Sequence, residues 1–257
     1  MQPYVAIWGL PRLMRDIRIY TNQPLAVDTE VLLDEKSAHH LSVVLRLKTG
    51  TGVVLFNGTG GEYTATLCES AGKRSTALIT GFLDTDRESP LYISLGIGIS
   101  RGDRMDWIVQ KATEVGISEI TPLFTARSEV RLKGDRTNKK IRHWQQVAIN
   151  ACEQCYRNIP PIINTPTLPE QWFNSLQTDK KLVLHHRGEQ SVSRLRKQQV
   201  DSAAILVGSE GGLTDSEISL SLQSGFEVLT IGPRVLRTET SPIVAATLLQ
   251  SLWGDFI

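Results

Sequence analysis

Two segments near the C-terminal end of the sequence each join a short apolar run to a helix start through glycine. Ala203–Val207 leads into Gly208-Ser-Glu-Gly-Gly-Leu-Thr214, and Val228–Ile231 leads into Gly232-Pro-Arg-Val-Leu-Arg-Thr-Glu-Thr-Ser-Pro242. Thr214 with Glu217 three residues on forms a capping box. Ser241 before Pro242 places an N-cap residue ahead of proline at the first helical position. Strand, glycine turn and helix made twice in succession are adjacent units of an open parallel sheet. Ligands of such sheets bind at the carboxyl ends of the strands, where these two turns lie.

The usual phosphate motifs are missing from both turns. A P-loop needs lysine after its last glycine, and none follows Gly211 or Gly212. Gly96-Ile-Gly98 begins a dinucleotide fingerprint, but Arg101 stands at the third glycine position. Ser209 has Gly211 two residues on but Val207 two residues before, so it makes no Gly-x-Ser-x-Gly nucleophile elbow. The turns therefore suit a neutral ligand read by backbone, such as an adenosine moiety. Two tight turns without any ligand fit the same pattern equally well.

The 257 residues suffice for one large or two ordinary domains, and 40% hydrophobic with 21% charged content is that of a soluble globular chain. No apolar run is long enough to span a bilayer. Met1–Leu13 lacks a basic n-region, so no signal peptide is expected. Met14-Arg15 is the more natural start, with residues 1–13 an extension, natural or left from cloning. Three cysteines, an odd number, suit the reducing cytoplasm.

A net charge of +1 conceals a basic middle. Arg127, Arg131, Lys133, Arg136, Lys139, Lys140 and Arg142 face only Glu129 and Asp135 within residues 127–142, and His143-Trp144 follows. A basic stripe ending in an aromatic is the footprint of phosphate contact with base stacking. The competing reading is a solvated surface loop.

From Ile17 to Gly81 the pattern is β-like: Val31–Leu33, Val53–Phe56, Tyr63–Leu67 and Thr76–Thr80, broken by Asn57-Gly58, Gly60-Gly61 and Ala71-Gly72. One helix is expected over Ser37–Leu47 with Ser37 as its N-cap. A small barrel over 14–84 and a polar linker over 85–90 follow. The second domain, 91–257, begins with a buried strand, Leu91–Ile99. Helices are expected over Arg104–Val115, Asn138–Arg157 and from Pro242, and strands over Ile120–Phe124 and Leu182–His185. Cys152 and Cys155 share the apolar face of the Asn138–Arg157 helix with Trp144 and Ala148, so they read as core cysteines and not as a zinc half-site. The doublets His39-His40 and His185-His186 are poor chelators, because sequence neighbours do not share a face.

In combination these residues resemble SPOUT-class RNA methyltransferases of the RsmE type. Gly208-Ser-Glu-Gly-Gly-Leu-Thr-Asp-Ser-Glu217 is similar to that class's Gly-Pro-Glu-Gly-Gly segment. Ile231-Gly-Pro-Arg-Val-Leu-Arg-Thr-Glu-Thr240 is similar to its Leu-Gly-x-x-Ile-Leu-Arg-x-Glu-Thr motif. Met14-Arg15, His40-Leu-Ser-Val-Val-Leu-Arg46, Lys111-Ala-Thr-Glu-Val-Gly116 and Ala151-Cys-Glu-Gln-Cys-Tyr-Arg157 extend the likeness over nearly the whole chain. It departs at Ser209, usually proline, at Ser241-Pro242, usually an alanine-led continuation, and at Tyr156, where glycine is common.

The resemblance implies an α/β fold: a C-terminal SPOUT domain with a deep trefoil knot, an exception to the rule against knots, plus an N-terminal PUA-like β-barrel. It implies S-adenosylmethionine as cofactor, held by Leu184, Val207, Gly208, Glu210, Gly211, Gly212, Ile231, Gly232, Val235, Leu236 and Arg237. It implies methylation of N3 of a uridine in 16S ribosomal RNA by a cytoplasmic homodimer that uses no metal. Arg237 or Arg157 would orient the base and stabilise charge, and Glu239 or Glu153 would accept the proton. Arg15, Arg18, His40, Arg46, Arg127, Arg131, Lys133 and Arg142 would hold RNA. A SPOUT enzyme acting on another RNA position, or an inert RNA-binding assembly factor, are the alternatives.

Overall fold

The computed structural model describes residues 16–72, 74–185, 195–196 and 198–256. Met14 and Arg15 lie outside them, as does His186. The chain forms two compact units divided between Thr85 and Asp86.

In the first unit, β1 (Arg18–Tyr20), β2 (Glu30–Leu32), β3 (Gly52–Phe56), β4 (Glu62–Ala71) and β5 (Arg74–Leu83) form one sheet in the order β1-β3-β4-β5-β2. β1 runs parallel to β3 and the other pairs are antiparallel. Every second residue faces one side of a strand, so Val53 and Leu55, Ala65 and Leu67, and Ala77 and Ile79 share one core with Ile19, Val31 and Leu41. The helix expected over Ser37–Leu47 is instead a short α1 (Glu35–His39) continued by a π-helical turn, His40–Val44. Its cap is Asp34, whose Oδ1 accepts from the Lys36 and Ser37 amides. Ser37 itself donates to Asp34 Oδ2 at 2.7 Å. β1 went unread because Arg18 interrupts its short apolar run.

Arg18, expected to grip phosphate, is inside this unit. Its side chain is 1% exposed, paired with Glu62, and its guanidinium lies 4.8 Å from the Phe56 ring centre. A cation placed there completes an internal ion pair and has no open face for RNA.

The second unit is a six-stranded parallel sheet: β6 (Tyr92–Gly98), β7 (Glu119–Leu123), β8 (Ile162–Ile163), β9 (Lys180–Leu184), β10 (Ser202–Val207) and β11 (Glu227–Leu229), in the order β11-β9-β10-β6-β7-β8. The long apolar runs follow from burial on both faces. Along β10, Ala203, Ile205 and Val207 join one core while Ala204 and Leu206 join another. The first core receives α2 (Asp103–Glu114), α3 (Asp135–Cys155) and α6 (Thr240–Trp253) through Met105, Ile108, Trp144, Ala148, Ala245 and Leu249. The second receives α4 (Pro169–Ser175), and α5 (Asp215–Gln223) packs on it through Leu220. The sheet is therefore covered by helices on both sides.

Several helix ends differ from expectation. α3 starts three residues early and stops at Cys155, because Tyr156 adopts a left-handed conformation (φ +71°) and its N–H donates to Cys152 O. That geometry favours glycine, which accounts for the residue usual there. α6 starts at Thr240, so Ser241 lies inside the helix and its hydroxyl donates to Arg237 O instead of capping. Pro242 falls in the first turn, where no backbone donor is needed. Trp144, read as a stacking aromatic, is buried, and its indole N–H donates to Asp106 on α2 at 3.1 Å. His143 meets the other oxygen of that carboxylate at 2.6 Å.

Candidate functional site

Strands β9, β10 and β11 all end at one side of the sheet, and the loops that follow them enclose a cavity of about 560 Å3. Leu184 and His185 line it after β9. After β10 come Val207 through Leu213, and after β11 come Ile231, Gly232, and Arg234 through Leu236. Leu229, Asp215, Thr238, Ser241 and Arg127 complete the wall. Leu184, Val207, Gly208, Glu210, Gly211, Gly212, Ile231, Gly232, Val235 and Leu236, named from sequence as cofactor residues, thus all border one space. Arg237 does not: its side chain is 82% exposed, 3.9 Å from Glu239 Oε1 and off the cavity wall.

The glycine loop is fixed from three sides. Gly212 N–H donates to Ser209 O at 2.8 Å, closing a tight turn with Gly212 at φ +71°. Beneath it, Gly98 at the end of β6 is so close that a Cβ would overlap the Ser209 amide nitrogen. Glu210 accepts from the Arg101 amide at 3.0 Å and from Arg104 Nη1 at 2.8 Å, beside the start of α2. Partial burial pushes the Glu210 carboxyl up, but the Arg101 and Glu210 amides and the Arg104 guanidinium outweigh it and hold the group below the usual carboxylate range.

On the far flank, Arg127 Nη1 donates to Gly211 O and Leu213 O. A Cβ on Gly211 would stand 2.8 Å from Arg127 Cβ. The capping box forms as read: Glu217 N–H donates to Thr214 Oγ1 at 3.2 Å and Thr214 N–H to Glu217 Oε2 at 2.8 Å. Glu217 Oε1 also accepts from the Ala126 amide at 2.8 Å. What the loop offers the cavity is backbone. With no lysine or arginine of its own, it matches a ligand that lacks phosphate.

Arg157 and Glu153 belong to α3 and its end, and neither borders the cavity. Arg157 is buried: Nη1 donates to Thr113 O and Ile117 O at 2.9 Å each, and Nε and Nη2 donate to Glu88 Oε2 at 2.9 and 2.6 Å. Of the RNA set, Arg131 and Lys133 are exposed between β7 and α3, and Arg142 is exposed on α3. In the first unit His40 and Arg46 are exposed. Sequence reasoning missed Gly98, Arg101, Arg104 and Arg234. Gly96-Ile-Gly98 was the available signal for the first, since glycine at a strand end marks close backbone approach.

A twice-wound parallel sheet whose glycine loops converge on a cavity at the strand ends is the frame of a nucleotide-derived-cofactor enzyme. A family described as "RNA methyltransferase domain" matches residues 87–250, and one described as "RNA methyltransferase PUA domain" matches residues 33–79. Ribosomal RNA small subunit methyltransferase E from Buchnera aphidicola (Acyrthosiphon pisum) is 34% identical over 93% of this chain and 94% of its own. Its namesake from Bacillus subtilis is 30% identical over 84% and 87%. A putative methyltransferase from Legionella pneumophila, solved with bound SAM, is 38% identical with a TM-score of 0.90, covering 94% of this chain and all of its own. Methyltransferase E from Neisseria gonorrhoeae, solved with S-adenosyl methionine, is 35% identical with a TM-score of 0.89, covering 95% and 100%. The chain belongs to this family of PUA-bearing ribosomal RNA methyltransferases.

Proposed function

We propose that this protein transfers a methyl group from S-adenosylmethionine to N3 of one uridine in the small-subunit ribosomal RNA. The observation that carries the reading is the convergence of three strand-end loops on one cavity walled by glycine backbone. About 560 Å3 lies within the range of small-molecule sites. A wall made largely of glycine backbone, with Arg127 tied to the Gly211 and Leu213 carbonyls and Arg234 as its other cation, fits an adenosyl group with a sulfonium and a free amino acid end. Solved relatives with SAM support the same occupant.

Bound cofactor supplies an electrophilic methyl on sulfur, and the chain's residues do the rest. Transfer is an in-line displacement, so positioning dominates. The uracil N3 proton must leave, and a cation beside the base favours the resulting anion. Arg237 suits that role because its guanidinium is exposed beside the cavity loop, and Glu239, two residues on and only partly exposed, suits the role of proton acceptor. Arg157 suits it less, since its donors are engaged inside the fold, and Glu153 lies with it away from the cavity. Arg131, Lys133, Arg142, His40 and Arg46 would meet phosphates. The trefoil knot, homodimeric assembly and a cytoplasmic location belong to this proposal.

Primer extension on 16S RNA from a deletion strain tests it, because an N3 methyl blocks Watson–Crick pairing and stops the polymerase. One stop should vanish on deletion and return with the wild-type gene. Loss of no stop, or absence of calorimetric binding to S-adenosylmethionine, would instead favour the inert assembly factor.

A further inference from the structure

The segment joining β7 to α3 builds a second cavity, of about 370 Å3, that the proposed function leaves without a role. Phe124, Ala126, Val130 and Leu132 supply its apolar wall. Phe124, Val130 and Leu132 also pack against the main core, so that wall is anchored. A turn closes it: Ser128 N–H donates to Thr125 O at 3.0 Å, and the two hydroxyls lie 2.8 Å apart.

Charge at the same place is one-sided. Arg131 and Lys133 line the cavity and are exposed. Glu129, the one acid between Thr125 and Gly134, is ion-paired with Arg101. An apolar slot edged by two exposed cations complements a flat apolar base carried on an anionic backbone. Its position is also specific. Ala126 lines this slot and the next residue, Arg127, lines the cofactor cavity.

We propose that this slot takes one unstacked base of the RNA strand beside the methylated nucleotide, with Arg131 and Lys133 on the adjoining phosphates. The inference rests on the reading of the chain as an RNA methyltransferase and adds a second base-holding site to it. Anchoring a neighbour outside the stack fixes the strand while the target base turns into the cofactor cavity.

The test uses full-length protein and small ribosomal subunits from the deletion strain, or their deproteinised 16S RNA, whichever the wild type methylates. Leu132→Trp fills the slot, and Ala126→Leu fills it from an exposed position that leaves the core alone. Binding is read by filter retention against salt concentration, with S-adenosylmethionine affinity by calorimetry. Both filled variants should bind RNA about tenfold more weakly, as loss of one stacked base predicts, with unchanged salt slope and cofactor affinity. Arg131→Ala/Lys133→Ala should weaken binding and also reduce the salt slope by about 1.4, or roughly 0.7 for each phosphate contact. Wild-type RNA affinity in both filled variants overturns the proposal. So does an equal loss of cofactor affinity, or a changed sedimentation coefficient, which would make the slot a contact between two copies of the chain. Failure of the wild type to methylate either substrate sinks the parent reading; methylation without these effects sinks only the slot.

Discussion

Arg127 holds the glycine loop by two of its carbonyls: its Nη1 donates to Gly211 O at 2.9 Å and to Leu213 O at 3.1 Å. The first cation of the basic run is thus a strut of the cofactor loop. Arg127→Ala should weaken S-adenosylmethionine binding by about tenfold, the equivalent of about 1.4 kcal/mol for a partly exposed charged donor. Both bonds come from one nitrogen, and a lysine ammonium also carries more than one donor, so Arg127→Lys should lose less than the alanine variant in calorimetry. If Arg127→Ala binds cofactor normally while its RNA affinity falls, the arginine serves phosphate instead.

Gly98 is the floor of the same loop. A methyl group there collides with the Ser209 backbone, which cannot move aside as a flexible side chain could. Gly98→Ala should therefore displace the loop at a cost of about 1–3 kcal/mol and abolish measurable cofactor binding. Gly52→Ala, where a Cβ meets nothing within 4 Å, is the control and should leave both melting and binding unchanged.

Glu210 gives the loop a pH dependence. Its carboxyl titrates lower in the fold than in the unfolded chain, so its stabilisation is present above the ordinary glutamate value of about 4.3 and is lost as pH falls through the folded value. Unfolding free energy measured by urea titration should be flat near neutrality and fall on acidification. Glu210→Gln should be less stable at neutral pH and show a shallower acid limb. An identical limb in wild type and variant would remove Glu210 from this account.

Cys152 and Cys155 form a graded thiol pair on the last turn of α3. The Cys152 thiol donates to Cys155, which outweighs partial burial and, with the Arg157 amide and guanidinium, brings Cys155 down to about 7. The same bond and burial push Cys152 well up. Iodoacetamide at neutral pH should label Cys155 and spare Cys152, as read by peptide mass spectrometry. In Cys152→Ala the midpoint of Cys155 labelling should move to higher pH.

Much of the fold was legible because period-two burial and glycine punctuation are local signals. Strands β6, β7, β9, β10 and β11 were found from their apolar runs, whereas β8, at two residues, gave no period to count and Arg18 interrupts the short run of β1. The cofactor wall was legible from the two glycine turns, because a strand end and a helix start fix where the loop between them must lie. Charged residues were read least well. Arg18, Arg127 and Arg157 look alike in sequence, yet one closes an internal pair with Glu62, one supports a loop and one ties α2 to Glu88. Partners that distant in sequence leave no local trace. The Tyr156 end of α3 is the converse case, since a position where glycine is common already signals a left-handed turn.

Arg157 and Arg237 can be separated by what each loses on truncation. The Arg157 side chain is 8% exposed and bonded to Glu88, Thr113 O and Ile117 O. Removing it leaves Glu88 without that partner and two carbonyls short of a donor, a change of about 3–5 kcal/mol for a buried pair. Arg157→Ala should accordingly lower the unfolding free energy strongly, with loss of methyl transfer following loss of fold. Arg237, 82% exposed, should tolerate alanine within about 0.5 kcal/mol yet lose transfer in single-turnover assays with cofactor affinity intact. Glu239→Gln should behave like Arg237→Ala. If both retain wild-type transfer rates, these two residues do not act on the base; if Arg157→Ala keeps its stability and loses only transfer, Arg157 takes the catalytic role.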